Sequence, residues 1–300
     1  MPGWLCLCCV VLSFYPGEKM EFPLVTTSWL EANLNNKQLV LIDVSMSKVV
    51  GKKAIEYNRP VFMPNSQHLD LETSLCDLTS TQVHAFPVEE QFTRQVQRLG
   101  INAESIVVFY DNQGIYSAPR AWWVFQAMGC KNSFVLDGGL PQWLSEKRSV
   151  VSGLSVDEPV PGQMKGKLQS DFICDSNYIL DKRAGGQLTL IDARSKERFL
   201  GLAPEPRAGV RSGHIPGALN LPFPEVLNGH CFKSPEQLSE MFLNLAGSNN
   251  TRLVFSCGSG ITACITLLAA VVAGYSYSQL ILYDGSWSDW GSNSVLPVER

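Results

Sequence analysis

The sequence predicts an α/β protein of two tandem domains, each a parallel sheet covered by helices on both faces. Three observations carry this prediction. Short, almost wholly apolar runs such as Leu39-Val40-Leu41-Ile42 and Leu253-Val254-Phe255 alternate with amphipathic helical segments, the pattern of parallel strands buried on both faces. The order of these segments occurs twice, so two diverged copies of about 130 residues describe the chain better than one continuous fold. At 300 residues, 45% hydrophobic and 17% charged, the chain holds ample apolar material for two cores.

The first copy opens with a short helix at Thr27-Ser28-Trp29-Leu30, then a strand at 39–43 that ends in Asp43. A stretch without clear periodicity runs to Phe86. Val88, Phe92, Val96 and Leu99 fall at helical spacing and predict a helix over 87–98, with Gly100 as its stop. A strand at 106–110, a helix at 117–128 ended by Gly129, and a strand at 134–136 follow. Asp137-Gly138-Gly139 then turns into a short helix carrying Trp143.

The second copy keeps the order. A strand at 188–192 matches 39–43. Ser234-Pro235-Glu236-Gln237 is a capping box with proline at the first helical position, opening a helix to about Leu245. A strand at 253–256, a helix from about Gly260 to Ala273, a strand at 280–283 and the turn Asp284-Gly285-Ser286-Trp287 complete it. Residues 149–169 are rich in Ser, Gly, Pro and Val without an amphipathic period and read as an extended linker. The expected domains are therefore 20–148 and 170–300.

Residues 1–19 read as a disordered extension. The apolar run at 4–15 carries Cys6, Cys8 and Cys9, has no basic segment before it and is too short to span a membrane. A soft-metal site and a cleaved signal peptide are the other readings of this cluster. Nine cysteines in a chain this long show no disulfide framework. Cys76, Cys130, Cys174, Cys231 and Cys264 lack metal-ligand spacing and are expected to be small buried hydrophobes. Such usage suits a reducing compartment, and a cytoplasmic protein without metal or membrane attachment is expected. The formal net charge of −4, with no Lys/Arg run, argues against a nucleic-acid partner.

The two copies differ at one chemical position. Where the second has Ser256-Cys257-Gly258-Ser259, the first has Tyr110-Asp111-Asn112-Gln113. Only the second copy holds a nucleophile, and the first is expected to supply packing and one wall of the site. Cys257 sits in a tight, glycine-flanked loop between a buried strand and an apolar helix. There, backbone N–H groups and the helix N-terminus stabilise a thiolate over a thiol, which activates a cysteine without a histidine beside it.

These residues resemble the tandem-domain sulfurtransferases of the rhodanese superfamily. Cys257-Gly258-Ser259-Gly260-Ile261-Thr262 looks like the signature of members that use 3-mercaptopyruvate. Asp192-Ala193-Arg194, Glu205-Pro206-Arg207, His214-Ile215-Pro216-Gly217-Ala218, Tyr116-Ser117-Ala118-Pro119-Arg120-Ala121-Trp122-Trp123 and Tyr283-Asp284-Gly285-Ser286-Trp287 are also family-like. The resemblance implies transfer of sulfane sulfur from 3-mercaptopyruvate to a thiol acceptor such as thioredoxin or a small thiol, through a persulfide on Cys257, with no cofactor. It places Arg198 and Arg207 on the substrate carboxylate, which suits a planar, two-pronged cation. Gly258, Ser259, Gly260, Ile261 and Thr262 form the rest of the binding loop, with Thr262 also a candidate helix N-cap. His214, Asp192 and Arg194 are expected to be structural.

Thiosulfate is the alternative donor; it favours cations inside the loop, and residues 257–263 carry none. A cysteine phosphatase needs an arginine six residues after its cysteine, where this chain has Ala263. A non-catalytic sulfur-binding or docking module fits only the first copy, since Cys257 is retained. One departure bears on the mechanism. Phe62 stands where the first domain of related enzymes has a histidine, leaving water, Ser259 or another group to protonate the pyruvate enolate. His68 and His84 are near in sequence, with no spacing that selects either.

Overall fold

The structure is a computed structural model that describes residues 23–154, 159–183, 188–247 and 252–300. Residues 1–19, with Cys6, Cys8 and Cys9, lie outside the described residues.

The first half runs β1 (Leu24–Val25), α1 (Thr27–Asn33), β2 (Leu39–Asp43), β3 (Gln67–His68), α2 (Glu89–Arg98), β4 (Ile106–Tyr110), α3 (Ala118–Ala127), β5 (Ser133–Leu136) and α4 (Gly139–Ser145). The second runs β6 (Ile173–Cys174), α5 (Ser176–Arg183), β7 (Leu188–Asp192), α6 (Lys196–Phe199), β8 (Leu219–Asn220), the hairpin β9 (Leu227–Asn228) and β10 (Cys231–Phe232), α7 (Pro235–Ala246), β11 (Arg252–Ser256), α8 (Ala263–Val272), β12 (Leu280–Tyr283) and α9 (Ser286–Trp290). Each half forms a five-stranded sheet, ordered β1-β5-β4-β2-β3 and β6-β12-β11-β7-β8, with every pairing parallel. The central strands are those read from sequence. The edge strands β1, β3, β6 and β8 are two residues long, too short to show any periodicity.

Helices α3 and α8 pack against each other between the two sheets. Every residue of α3 is buried, and so is every residue of α8 except Val271. That explains their sequences, because a helix apolar on all sides has no face left for water. One continuous apolar core therefore runs through both halves, including Trp122 and Trp123 of α3 and Ile265 and Leu268 of α8.

A reciprocal clasp joins the halves. The Asp137 carboxylate, after β5, accepts the Phe232 backbone N–H at 2.9 Å. The Asp284 carboxylate, after β12, accepts the Phe86 N–H at 2.7 Å. Phe86 and Phe232 occupy matching places ahead of α2 and α7, so each half hands an Asp-Gly turn to the other. Residues 159–169 contain no helix or strand and are bonded to the first half. Gly162 and Met164 donate to the Gln97 and Ile101 carbonyls at 2.8 and 3.1 Å, and Lys167 and Gln169 to those of Met128 and Ala127 at 3.0 and 2.8 Å.

One local expectation is corrected. The second-copy helix starts at Ala263 instead of Gly260. Gly260 has φ +81°, a left-handed conformation that ends the loop and cannot begin a helix. Thr262 holds the N-cap place in helical conformation, but its side chain makes no capping hydrogen bond.

Candidate active site

Cys257 leaves the end of β11 at the floor of a cleft between the halves, with about 80 Å³ of free volume. Its own half presents Arg198, Arg207, Gly258, Ser259, Ile261 and Thr262 to the cleft; the first half presents Met46, Lys48, Glu72, His84 and Tyr116. Gly260 does not line the cleft. It lies behind the loop, where an added Cβ would come within 3.1 Å of the Arg120 Nη1 and 3.3 Å of the Asp284 carbonyl oxygen.

The loop is held from below by the turn after β12. Trp287 N–H donates to the Cys257 carbonyl at 3.0 Å and Ser288 N–H to that of Gly258 at 2.9 Å. Cys257 N–H donates to Ser286 Oγ at 3.2 Å, and Ser286 itself sits at φ +50°, an uncommon conformation for a residue with a side chain. Gly260 N–H points at Cys257 Sγ from 3.2 Å. Cys257 is only 2% exposed, and a backbone donor is already aimed at its sulfur.

The first copy shows what the same cradle does with a different residue. Asp111 occupies the place of Cys257, and its Oδ2 accepts the N–H groups of Tyr116, Ser117 and Ala118 at 2.9, 2.9 and 3.0 Å, while Oδ1 accepts that of Gln113 at 2.9 Å. A carboxylate of the chain itself fills the anion nest there, so no ligand is called for.

The cations form one array. Arg194 pairs with Asp192 at 2.6 Å and Glu205 at 2.8 Å, and its guanidinium lies 4.5 Å over the Trp287 ring. Arg198 pairs with the other oxygen of Glu205 at 2.5 Å. Among the described residues Arg207 makes no ion pair. Three guanidiniums thus face two carboxylates, and the Glu72 charge in the cleft is set against Lys48, leaving a net positive cleft beside Cys257. An α-keto carboxylate would complete that array.

The first half also contributes a residue that sequence reasoning did not select. His84 Nδ1 lies 2.9 Å from Ser259 Oγ, and its Nε2 lies 3.3 Å from the Glu72 carboxylate. With Glu72 accepting the Nε2 proton, Nδ1 is the acceptor for the Ser259 hydroxyl. Burial pushes the imidazole below its ordinary pKa, against the opposing pull of Glu72. Cys257 therefore does share its cleft with a histidine, which reaches the loop through Ser259. Phe62, by contrast, bridges to Val151 and lines a different cavity, so the histidine missing there bears on nothing at this site. A signal for His84 existed: His84-Ala85-Phe86 recurs as His230-Cys231-Phe232 at the matching place of the second copy.

His214 is a packing residue. It is buried, stacks on Phe199 with ring centroids 3.7 Å apart, and places Nδ1 2.8 Å from the Phe199 carbonyl. Cys76, Cys130 and Cys264 are buried, Cys174 and Cys231 half-buried, and all are free thiols. Among the described residues no His/Cys/Asp/Glu cluster is arranged to hold a metal ion, and no helix is long and apolar enough to cross a membrane.

Fold and site together define a tandem α/β protein with one nucleophilic cysteine loop facing a degenerate partner copy. The chain belongs to the rhodanese family: the profile of the rhodanese-like domain matches residues 26–146 and again 176–293. It is 36% identical over 275 residues to the 3-mercaptopyruvate sulfurtransferase of Mus musculus, covering 89% of this chain and 91% of that one. It is 34% identical over 275 residues to the thiosulfate sulfurtransferase of Rattus norvegicus, with the same coverages of 89% and 91%. Among solved structures it is similar to the 3-mercaptopyruvate sulfotransferase SseA from Escherichia coli, with a TM-score of 0.76 and 28% identity over 89% of this chain and 99% of that one.

Proposed function

We propose that this chain is a 3-mercaptopyruvate sulfurtransferase that carries sulfane sulfur on Cys257 and passes it to a thiol acceptor, releasing pyruvate. The observation that supports it most is that Arg198 and Arg207 line the same cleft as Cys257 while the loop itself carries no cation. The positive charge lies in the cleft beside the loop, where a carboxylate would bind.

The chemistry follows from the cleft. Arg198 and Arg207 hold the carboxylate of 3-mercaptopyruvate, placing its sulfur over Cys257. The Cys257 thiolate attacks that sulfur, the S–S bond forms, and the C–S bond breaks with its electron pair leaving on carbon as the enolate of pyruvate. The substrate S–H proton passes to the enolate carbon through Ser259 and His84, so one thiolate and one mercaptopyruvate give one persulfide anion and one pyruvate with no proton left over. The N–H groups of Gly258, Ser259, Gly260, Ile261 and Thr262, of which that of Gly260 already points at Sγ, stabilise the anionic sulfur as it forms, with the Thr262 hydroxyl beside them. An acceptor thiolate, from reduced thioredoxin or a small thiol, then attacks the outer sulfur and frees Cys257.

The domain limits we assign are 20–148 and 170–300, supported by the two matched segments and the two sheets. A cytoplasmic setting goes with the cysteine usage. Thiosulfate stays as a second donor, favoured by the relative from Rattus norvegicus whose name carries that activity. Turnover of the two donors on one preparation decides between them: a clear preference for 3-mercaptopyruvate is expected, and a preference for thiosulfate would overturn the choice.

A further inference from the structure

The reciprocal clasp differs on its two sides: Asp137 also takes a side-chain hydrogen bond from Cys231, while an arginine joins only the side that carries His84. Where Asp137 meets Phe232, the carboxylate accepts the backbone N–H without an arginine. Where Asp284 meets Phe86, Arg120 joins them. Its Nη2 donates to Asp284 Oδ1 at 2.9 Å and to the His84 carbonyl at 2.7 Å, and its guanidinium lies 5.1 Å from the centre of the Phe86 ring. The residue matching Arg120 in the second copy, third in its helix, is Ile265, a buried aliphatic side chain with no hydrogen bond to offer.

Arg120 and Asp284 thus grip both ends of the segment His84-Ala85-Phe86, one at the His84 carbonyl and the other at the Phe86 N–H. His84 has φ +57°, a left-handed conformation uncommon for a residue with a side chain, and the two bonds at either end of the segment hold it there. Asp284 also opens the turn whose Ser286, Trp287 and Ser288 hold the Cys257 loop. Arg120 is 2% exposed, and burial alone would lower its pKa, yet Asp284 beside it holds it above its ordinary value.

We propose that the Arg120–Asp284 pair is a positioning device that sets His84 in register with Ser259 by fastening the His84 segment to the turn that carries the Cys257 loop. The proposal rests on the sulfurtransferase reading for its rate predictions, but the hydrogen bond it concerns is measurable without turnover. The groups around His84 are Glu72, Arg120, Arg207 and Ser259.

Two measurements test it. In the first, Arg120→Met is compared in the wild-type and His84→Ala backgrounds with 3-mercaptopyruvate. A loss of about 10-fold or more in kcat is expected with His84 present, shrinking to within about 2-fold when it is absent. Equal losses in both backgrounds, or none in either, would overturn the positioning role. In the second, the His84 imidazole resonance is followed by NMR with and without Ser259→Ala. The resonance should move on Ser259→Ala in the wild type and stay put in Arg120→Met, where the bond is already lost; equal movement in both contradicts the proposal. Should Arg120→Met fail to fold, Asp284→Asn and Arg120→Lys run through the same two comparisons, and Arg120→Lys, which keeps the charge, should recover part of the loss. Wild type without turnover on 3-mercaptopyruvate sinks the functional reading alone, and the resonance comparison still decides this one.

Discussion

His84 and Ser259 stand 175 positions apart in the chain and meet with Nδ1 and Oγ separated by 2.9 Å across the interface of the two halves. The catalytic copy alone would lack this contact. In the proposed reaction it makes the degenerate copy a chemical partner and gives the leaving enolate a proton path that Cys257 does not supply.

Removing that path should slow the first half-reaction. His84→Ala is expected to lower kcat with 3-mercaptopyruvate by about 10²-fold or more, the usual worth of a placed proton-transfer group, with KM little changed. Rapid-quench measurement of pyruvate release checks it. A KM effect with kcat intact would place His84 in binding instead.

The cleft arginines should behave differently from His84 and from each other. Arg207→Met removes a cation with no ion-pair partner among the described residues, so kcat/KM for 3-mercaptopyruvate should fall roughly 10- to 100-fold with thermal stability unchanged. Arg198→Met should cost similar activity and also lower Tm, because Glu205 then loses one of its two guanidinium partners. Steady-state kinetics beside thermal melts of both variants separate the two cases.

Protonation of His84 should switch the relay off at acid pH. Burial lowers its pKa, so the acid limb attributable to His84 should lie below the ordinary histidine value of about 6.5. Glu72 pulls the other way, so Glu72→Gln should move that limb to still lower pH. The kcat profiles of wild type and Glu72→Gln, with His84→Ala as the blank, test the direction; a limb moved upward contradicts it.

Much of this was legible in the sequence, and the boundary is a physical one. The runs 39–42, 106–110 and 253–255 lie in the sheet interior and show it as unbroken apolar stretches. Cys257, Arg198 and Arg207 were legible because a loop cysteine and guanidiniums carry their chemistry in their residue type. His84 and Glu72 were not, since residues 44–86 form mostly irregular chain and the side chains gain their meaning only across the interface. The start of α8 was misjudged for a related reason: sequence marks Gly260 as a small residue but does not show its positive φ, or that Arg120 and the Asp284 carbonyl leave little room for a side chain there.

The other half of the clasp predicts a stability effect. Burial raises the Asp137 carboxyl to about 6, against about 3.9 in an unfolded chain. Between those values the folded state keeps a proton that the unfolded state has lost. The stability this confers is full below about pH 4 and is lost as pH rises through about 6. Asp137→Asn, still able to accept the Phe232 N–H, should therefore raise stability at pH 8 by on the order of 2 kcal/mol and leave it unchanged near pH 4. Denaturant melts of both proteins at the two pH values check the sign.

The central claim, that Cys257 carries the sulfur, is tested most directly by mass spectrometry of the protein after brief exposure to 3-mercaptopyruvate without acceptor. The account predicts an adduct of about 32 Da, one sulfur atom, mapped to Cys257, removed by a thiol reductant and missing in Cys257→Ser. An unmodified wild type, or an adduct undiminished in Cys257→Ser, would contradict it.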